Sequence, residues 1–355
     1  MAGVGQRKSD DQRRRLQSLA QGMERAESGL GPFQGNRTLS STGDRMTTIA
    51  QTHGVNPLEL IGLPRLMART GGEGATRIGL IDGPVLATHP GLAGANLELP
   101  ARLSTARDIA SHHATAVAGV LVGRRDSGAP GVCPGATLVS HPIFAPAPSH
   151  SGGTTTARQD VLAAAIVEMA DAGTRILNLS LTLSPRSHDA HRILQRALDH
   201  AAARGLIVVA AAGDHGTIGG SVITRHQSVI PVVAYGLHGH PAANANTGPT
   251  IGRRGVGATG AGMVSLGADG GLRPFGGSSA AAALVTGVIA LLWSEFPDAT
   301  HADLVHAVTG STSRRSSVVP PLVNAWTAYQ TLRTRRDRQG GAHHGRSGQA
   351  PHGGR

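Results

Sequence analysis

A chain of 355 residues with 50 glycines and only 2% aromatics must build its core from Ala, Val, Leu and Ile. That suits helices packed on a parallel sheet and argues against an aromatic-rich β-sandwich. The single cysteine, Cys133, excludes an internal disulfide framework and fits a reducing compartment. A net charge of +11 raises the question of a nucleic-acid partner, but the positive residues gather at the ends, at Arg13–Arg15 and from Arg333 onward. With no aromatic to stack on bases, that tail reads as solvated and not as a specific nucleic-acid arm.

In chain order, residues 1–45 are polar and basic, and read as a disordered or weakly helical extension with a short helix over 12–26. Met1 to Ser28 is charged and lacks the apolar stretch of a secretory signal. Residues 46–75 tighten into a short helical lead-in through Ile49, Leu58, Leu60, Ile61, Leu63 and Leu66. Strands and helices then alternate. Strands are expected over 77–81 (ending at Asp82), 136–140, 175–180, 206–210 and 229–234. Helices are expected over 114–122, 158–172, 188–203, 280–296, 300–308 and 323–332. In the second of these Val161, Leu162, Ala165, Ile166 and Met169 fall on one face. The pattern predicts an α/β domain over 76–332, a doubly wound, mostly parallel sheet with helices on both faces. The Gly/His/Arg-rich stretch 333–355 reads as a disordered tail. No apolar run reads as long enough to span a bilayer, so the expectation is a soluble, cytoplasmic chain with no membrane partner.

Sheets of this kind place their sites at the carboxyl ends of strands. Asp82 ends the first strand, in Ile81-Asp82-Gly83-Pro84, and His89-Pro90 follows in the loop. His112-His113-Ala114-Thr115-Ala116-Val117-Ala118-Gly119 opens a helix of small residues. Gly276-Gly277-Ser278-Ser279 leads into the Ala-rich helix. Read alone, that last stretch is equally an N-cap serine on a buried helix. An acid, an imidazole and a hydroxyl on separate elements are also the parts of a nucleophilic triad. In it the serine attacks, the histidine takes and returns its proton, and the aspartate holds the ring's tautomer.

The flanks of these residues resemble the subtilisin-like serine proteases. The family's order of Asp, His and Ser blocks is matched by Ile-Gly-Leu-Ile-Asp-Gly, His-Ala-Thr-Ala-Val-Ala-Gly and Gly-Ser-Ser-Ala-Ala. Between them, Ile176–Leu181 resembles the substrate-binding strand, and Leu206–Gly216 the segment that carries the oxyanion-hole asparagine. Register against the family pattern selects His113 over His112, and counting back from Val285-Thr286-Gly287 selects Ser279 over Ser278. The resemblance implies an endopeptidase working through an acyl-enzyme. Ser279 is then the nucleophile, His113 the general base and acid, and Asp82 the orienting carboxylate. Asp214 and the Ser279 backbone N–H form the oxyanion site, and Ser180, Leu181 and Thr182 the substrate wall. It implies a peptide substrate and no cofactor. Members often hold structural calcium, but no loop here matches such a site. Gly131-Val132-Cys133-Pro134, Ile223-Thr224-Arg225-His226 and Ala290–Pro297 narrow the resemblance to the proteases that mature cyanobactin precursor peptides.

The sharpest departure is Asp214, where the family has asparagine. An ionised aspartate donates nothing to an oxyanion, whereas a protonated one does if burial raises its pKa. This leaves an attenuated enzyme that is faster in mild acid, or an inactive homologue that holds a precursor peptide. A nucleic-acid-binding protein is a distant third reading. Ala114 replaces a glycine beside His113, and its Cβ threatens a close backbone approach. Gly255-Val256-Gly257-Ala258-Thr259-Gly260 fits a dinucleotide-binding fingerprint, but no strand precedes it, so it reads as a loop. His188 with His191, and His343-His344, lack the companions of a metal site and read as solvated. Cys133 reads as a small core residue.

Overall fold

The first strand, β1 (Arg77–Asp82), is buried from its second residue to its last, because it lies inside the sheet. The computed structural model describes residues 56–100, 108–144, 156–183, 188–310 and 317–344. The extension over 1–45, its helix over 12–26 and the start of the lead-in lie outside the described residues. What is described of the lead-in holds a single 3₁₀ turn at Glu59–Ile61 and α1 (Leu63–Met67).

Strand β2 (Asn96–Glu98) precedes α2 (Ile109–Val122) and β3 (Thr137–Pro142). Next come β4 (Thr156–Ala157), α3 (Gln159–Asp171), β5 (Ile176–Leu179), β6 (Thr182–Leu183), α4 (His188–Ala203) and β7 (Ile207–Ala211). The chain continues through α5 (Val222–Arg225), β8 (Val229–Tyr235), α6 (Pro249–Arg254), β9 (Val256–Thr259) and the hairpin β10 (Met263–Leu266) and β11 (Leu272–Phe275). It closes with α7 (Gly277–Glu295), α8 (His301–Thr309) and α9 (Ala325–His344). The main sheet has 7 strands in the order β2-β3-β1-β5-β7-β8-β9, all paired in parallel. This is the expected α/β architecture.

The strands are apolar on both faces because both faces are covered. Ile78, Leu80, Ile176, Ile207 and Val209 pack with residues of α2 and α7. Their neighbours Ile81, Leu177, Leu179, Val208 and Ala210 pack with α3 and α4 on the other side. Strand alternation thus feeds two separate cores. Val161, expected on the buried face of α3, is 38% exposed.

The structure corrects the sequence reading at several points. Helix α2 begins at Ile109, well before residue 114. The Asp108 carboxylate caps it by accepting the Ser111 N–H at 2.8 Å, which places both histidines inside the helix. The segment Val256–Thr259, read as a loop, is the edge strand β9, with a helix and not a strand before it. Gly257 is needed there, since a Cβ would lie 2.2 Å from Tyr235 Cε2. Helix α9 runs on past Leu332 to His344, where a disordered tail was expected. Its extra turns are held by an Arg335–Asp303 ion pair at 2.7 Å and by Arg336 over the Phe296 ring at 5.0 Å. Finally, α7 is long and apolar enough to cross a membrane by length and composition, contrary to the expectation that no run is. However, 89% of its apolar 18-residue window is buried in the protein, as in a core helix apolar on every side.

Candidate active site

The carboxyl ends of β1, β5 and β7 open into one cleft of about 370 Å³. Asp82, His113, Ser180, Leu181, Asp214 and Ser279 all line it, with Ile109 and Phe144 adding apolar surface. The folded chain therefore gathers at one place residues that are up to two hundred positions apart.

Asp82 is 1% exposed at the end of β1, yet its carboxylate is well supplied with donors. The Gly83 N–H donates to Oδ1 at 2.7 Å, and His113 Nδ1 lies 2.8 Å from Oδ2 and 3.0 Å from Oδ1. With Nδ1 bonded to the carboxylate, Nε2 is the nitrogen left for acid–base work. Burial of the His113 ring disfavours its cation. The charge and hydrogen bond of Asp82 outweigh burial, so the His113 pKa is raised above that of an ordinary histidine. Phe275, at the end of the hairpin, meets the ring edge-on at 5.8 Å. Ala114, feared as a source of crowding, is fully buried in the core, and the Asp82–His113 pair forms beside it.

His112 faces elsewhere: its Nδ1 accepts the Ala268 N–H at 3.0 Å. Burial, aided by Arg273 and opposed by Asp269 and Asp108, lowers its pKa. His89 is structural too. Its Nδ1 accepts from the Gly91 N–H, so Nε2 carries the proton and donates to the Gly271 carbonyl at 3.1 Å.

Ser279 sits in the first turn of α7, half-buried and facing the cleft. Gly276 and Gly277 make that approach feasible. Gly277 has φ +73°, and its N–H donates to the Gly260 carbonyl at 2.8 Å. The Ser279 N–H has no acceptor outside its own helix among the described residues, so it belongs to the unpaired donors of the helix start. Ser278 also borders the cleft but is 2% exposed and tied to Asp214. Its N–H and hydroxyl both donate to Asp214, and its oxygen accepts the Gly213 N–H at 3.2 Å.

Asp214 is thus brought to the predicted side of the cleft, but in the role of acceptor. Ser278 N–H lies 3.1 Å from its Oδ1 and 2.9 Å from its Oδ2, and Ser278 Oγ lies 2.8 Å from Oδ2. An anion at the start of a long helix is favoured by the helix dipole.

Of the expected substrate wall, Ser180 and Leu181 line the cleft, and the backbone of Thr182 opens β6, paired with Thr156 of β4. Sequence reasoning passed over Asn178, although a polar residue inside the apolar strand Ile176–Leu179 is a signal that a partner awaits it. Asn178 is fully buried. It donates from Nδ2 to Ser180 Oγ at 3.0 Å, and its Oδ1 accepts from Thr286 at 3.0 Å. Cys133 is a core residue, donating to the Leu121 carbonyl, and burial pushes its thiol up to about 12. Among the described residues no group of acidic, His or Cys side chains is placed to hold a metal ion.

A parallel sheet wound on both faces thus carries the Asp82–His113 pair and Ser279, at the start of α7, in one cleft, which is the α/β architecture of the subtilisin-like class. The chain belongs to the Subtilase family, whose model matches residues 73–343. It is 28% identical over 276 residues to fervidolysin of Fervidobacterium pennivorans, covering 68% of this chain but 38% of that protein. Among solved structures it is similar to the prenylagaramide maturation protease PagA. There the match is 25% identical with a TM-score of 0.67, and covers 76% of this chain and 98% of that one. The self-cleaved protease domain of PatA matches at 28% identity and TM-score 0.62, over 74% of this chain and 98% of that one.

Proposed function

We propose that this chain is a serine endopeptidase. The observation that carries the reading is the Asp82–His113 pair at 2.8 Å, opening with Ser279 on one cleft at the sheet's carboxyl edge. In this reading Ser279 Oγ attacks the substrate carbonyl, and its proton passes to His113 Nε2. Asp82 holds the ring and offsets the imidazolium charge. The tetrahedral intermediate collapses as His113 returns the proton to the leaving amine, which breaks the C–N bond. Water then repeats the sequence on the acyl-enzyme and frees Ser279. The Ser279 N–H at the positive end of α7 is the backbone donor for the oxyanion. Ser180, Leu181 and Thr182 form the wall along which an extended peptide lies.

The neighbours support the substrate class: PagA is a prenylagaramide maturation protease, and a ribosomally made precursor peptide is proposed here. A second reading has one observation behind it. Asp214 accepts at both oxygens where an oxyanion donor is needed, which suits a cleft that holds a precursor peptide and turns it over slowly or not at all. Labelling with a fluorophosphonate probe separates the two. Modification of Ser279 in the wild type, lost in His113→Ala and Ser279→Ala, is expected. A folded wild type that does not label sinks the peptidase.

A further inference from the structure

A directed chain of hydrogen bonds runs from the interior of α7 to the nucleophile. Thr286 Oγ1 donates to Asn178 Oδ1 at 3.0 Å, and Asn178 Nδ2 donates to Ser180 Oγ at 3.0 Å. Ser180 Oγ in turn donates to the main-chain carbonyl of Ser279 at 3.4 Å. Thr286 and Asn178 are fully buried and Ser180 is 5% exposed. Each side chain donates forward to the next group. In a low-dielectric interior such aligned donors polarise one another and are costly to break.

The chain joins the same two elements twice. Thr286 lies two helical turns beyond Ser279, about 10 Å along α7. It grips strand β5 through Asn178, while Ser180, just past the end of that strand, grips the first turn of the helix. Two attachments set both the rise and the rotation of α7 against the sheet, where one would leave it free to pivot. Ser180 and its neighbour Leu181 also form the cleft wall, so the wall and the nucleophile share one brace. No charge is introduced near the Asp82–His113 pair, because every member is neutral. The long apolar face of α7 by itself sets no register, since apolar packing is not directional.

We infer that Asn178 and Thr286 are positioning residues that hold Ser279 in attack geometry through Ser180. This rests on Ser279 being the nucleophile. Thr286→Val keeps the shape of the side chain and removes the donor, and Thr286→Ser restores a hydroxyl. The maximal inactivation rate by a fluorophosphonate is expected to fall between about tenfold and a hundredfold in Thr286→Val, the scale of a small misplacement of a reacting group. Half-saturation by the probe should not change, and Thr286→Ser should recover most of the rate. Asn178→Leu should behave like Thr286→Val. The rates are read well below each variant's unfolding temperature, with circular dichroism as the check on folding.

If folded Thr286→Val labels at the wild-type rate, the inference is overturned while the peptidase reading stands. If the wild type itself does not label, the peptidase reading fails. Hydrogen exchange over 276–283 then decides the brace. Faster exchange in Thr286→Val than in wild type and Thr286→Ser supports it, and equal exchange removes it.

Discussion

Asp214 meets Ser278 as a pure acceptor, with the Ser278 amide 2.9 Å and its hydroxyl 2.8 Å from the same carboxylate oxygen. Ser278, which the sequence offers as a mere neighbour of the nucleophile, is therefore what holds the carboxylate in place. An asparagine there could keep the bond to the Ser278 N–H through its oxygen and still present an N–H to the cleft. Asp214→Asn is expected to raise kcat at neutral pH, with a ceiling of about a hundred- to a thousandfold, the worth of one oxyanion donor. Stability should drop by about 0.3–1 kcal/mol as the helix start loses its anion. Steady-state kinetics on a peptide substrate provides the check, and an unchanged kcat shows that Asp214 does not limit the reaction.

The Asp82–His113 pair sets a pH dependence. His113 must be neutral to act as base, and its pKa is raised because Asp82 outweighs the effect of burial. The acid limb of kcat/KM should accordingly lie above the ordinary histidine value of about 6.5. Asp82→Asn should move that limb to lower pH and reduce kcat by about 10⁴. The linked stability has a definite sign. A raised folded pKa stabilises the protein fully below the unfolded value, and the stabilisation fades as pH rises through the folded value. Wild type should thus lose more stability than Asp82→Asn across that window, as read from denaturant melts at a series of pH values. Parallel melts would refute the assignment.

Gly83 follows Asp82 directly, and a Cβ built on it would lie 2.3 Å from the Ala110 carbonyl oxygen of α2. Backbone on both sides leaves no flexible atom to yield. Gly83→Ala should cost about 1–3 kcal/mol in overpacking. It should also slow labelling of Ser279, because pushing α2 from β1 separates Asp82 from His113. Calorimetry with probe labelling tests both effects, and full activity at wild-type stability would contradict the tight approach.

The distal turns of α9 contribute through Arg335 and Arg336. The side chain of Arg335 is 53% exposed, so solvent screening holds its pair with Asp303 to a small effect. Arg336 over Phe296 adds a cation–π contact. Deleting residues 333–355 should lower stability by about 1 kcal/mol in total, roughly 2–4 °C in Tm for a domain of this size. A scanning calorimetry trace that matches the full chain would show that these turns are dispensable.

Periodicity and block order made much of this protein legible before any coordinates. The apolar strands ending at Asp82 and Ala210 and the Ala-rich helix after Ser279 follow from local pattern, because apolar runs of that length must be buried. The order of the three blocks, with register against the family pattern, likewise points to Asp82, His113 and Ser279 as the candidates. Val256–Thr259 was missed because Gly257, with Gly255 and Gly260 on either side of the segment, looks like part of a loop until Tyr235 is seen lying against it. The later turns of α9 were missed because their partners, Asp303 and Phe296, come from other elements.

The sequence by itself determined the α/β class and the family and proposed Asp82, His113 and Ser279 as the reactive trio, since each block is recognised from residues close to one another along the chain. Tertiary structure alone decided what the flanking polar groups do. Asp214 became an acceptor, Ser278 its anchor, and Thr286 and Asn178 a brace for the Ser279 backbone. Hydrogen-bond direction depends on which donor a fold brings within about 3 Å. No spacing of residues along a chain specifies that.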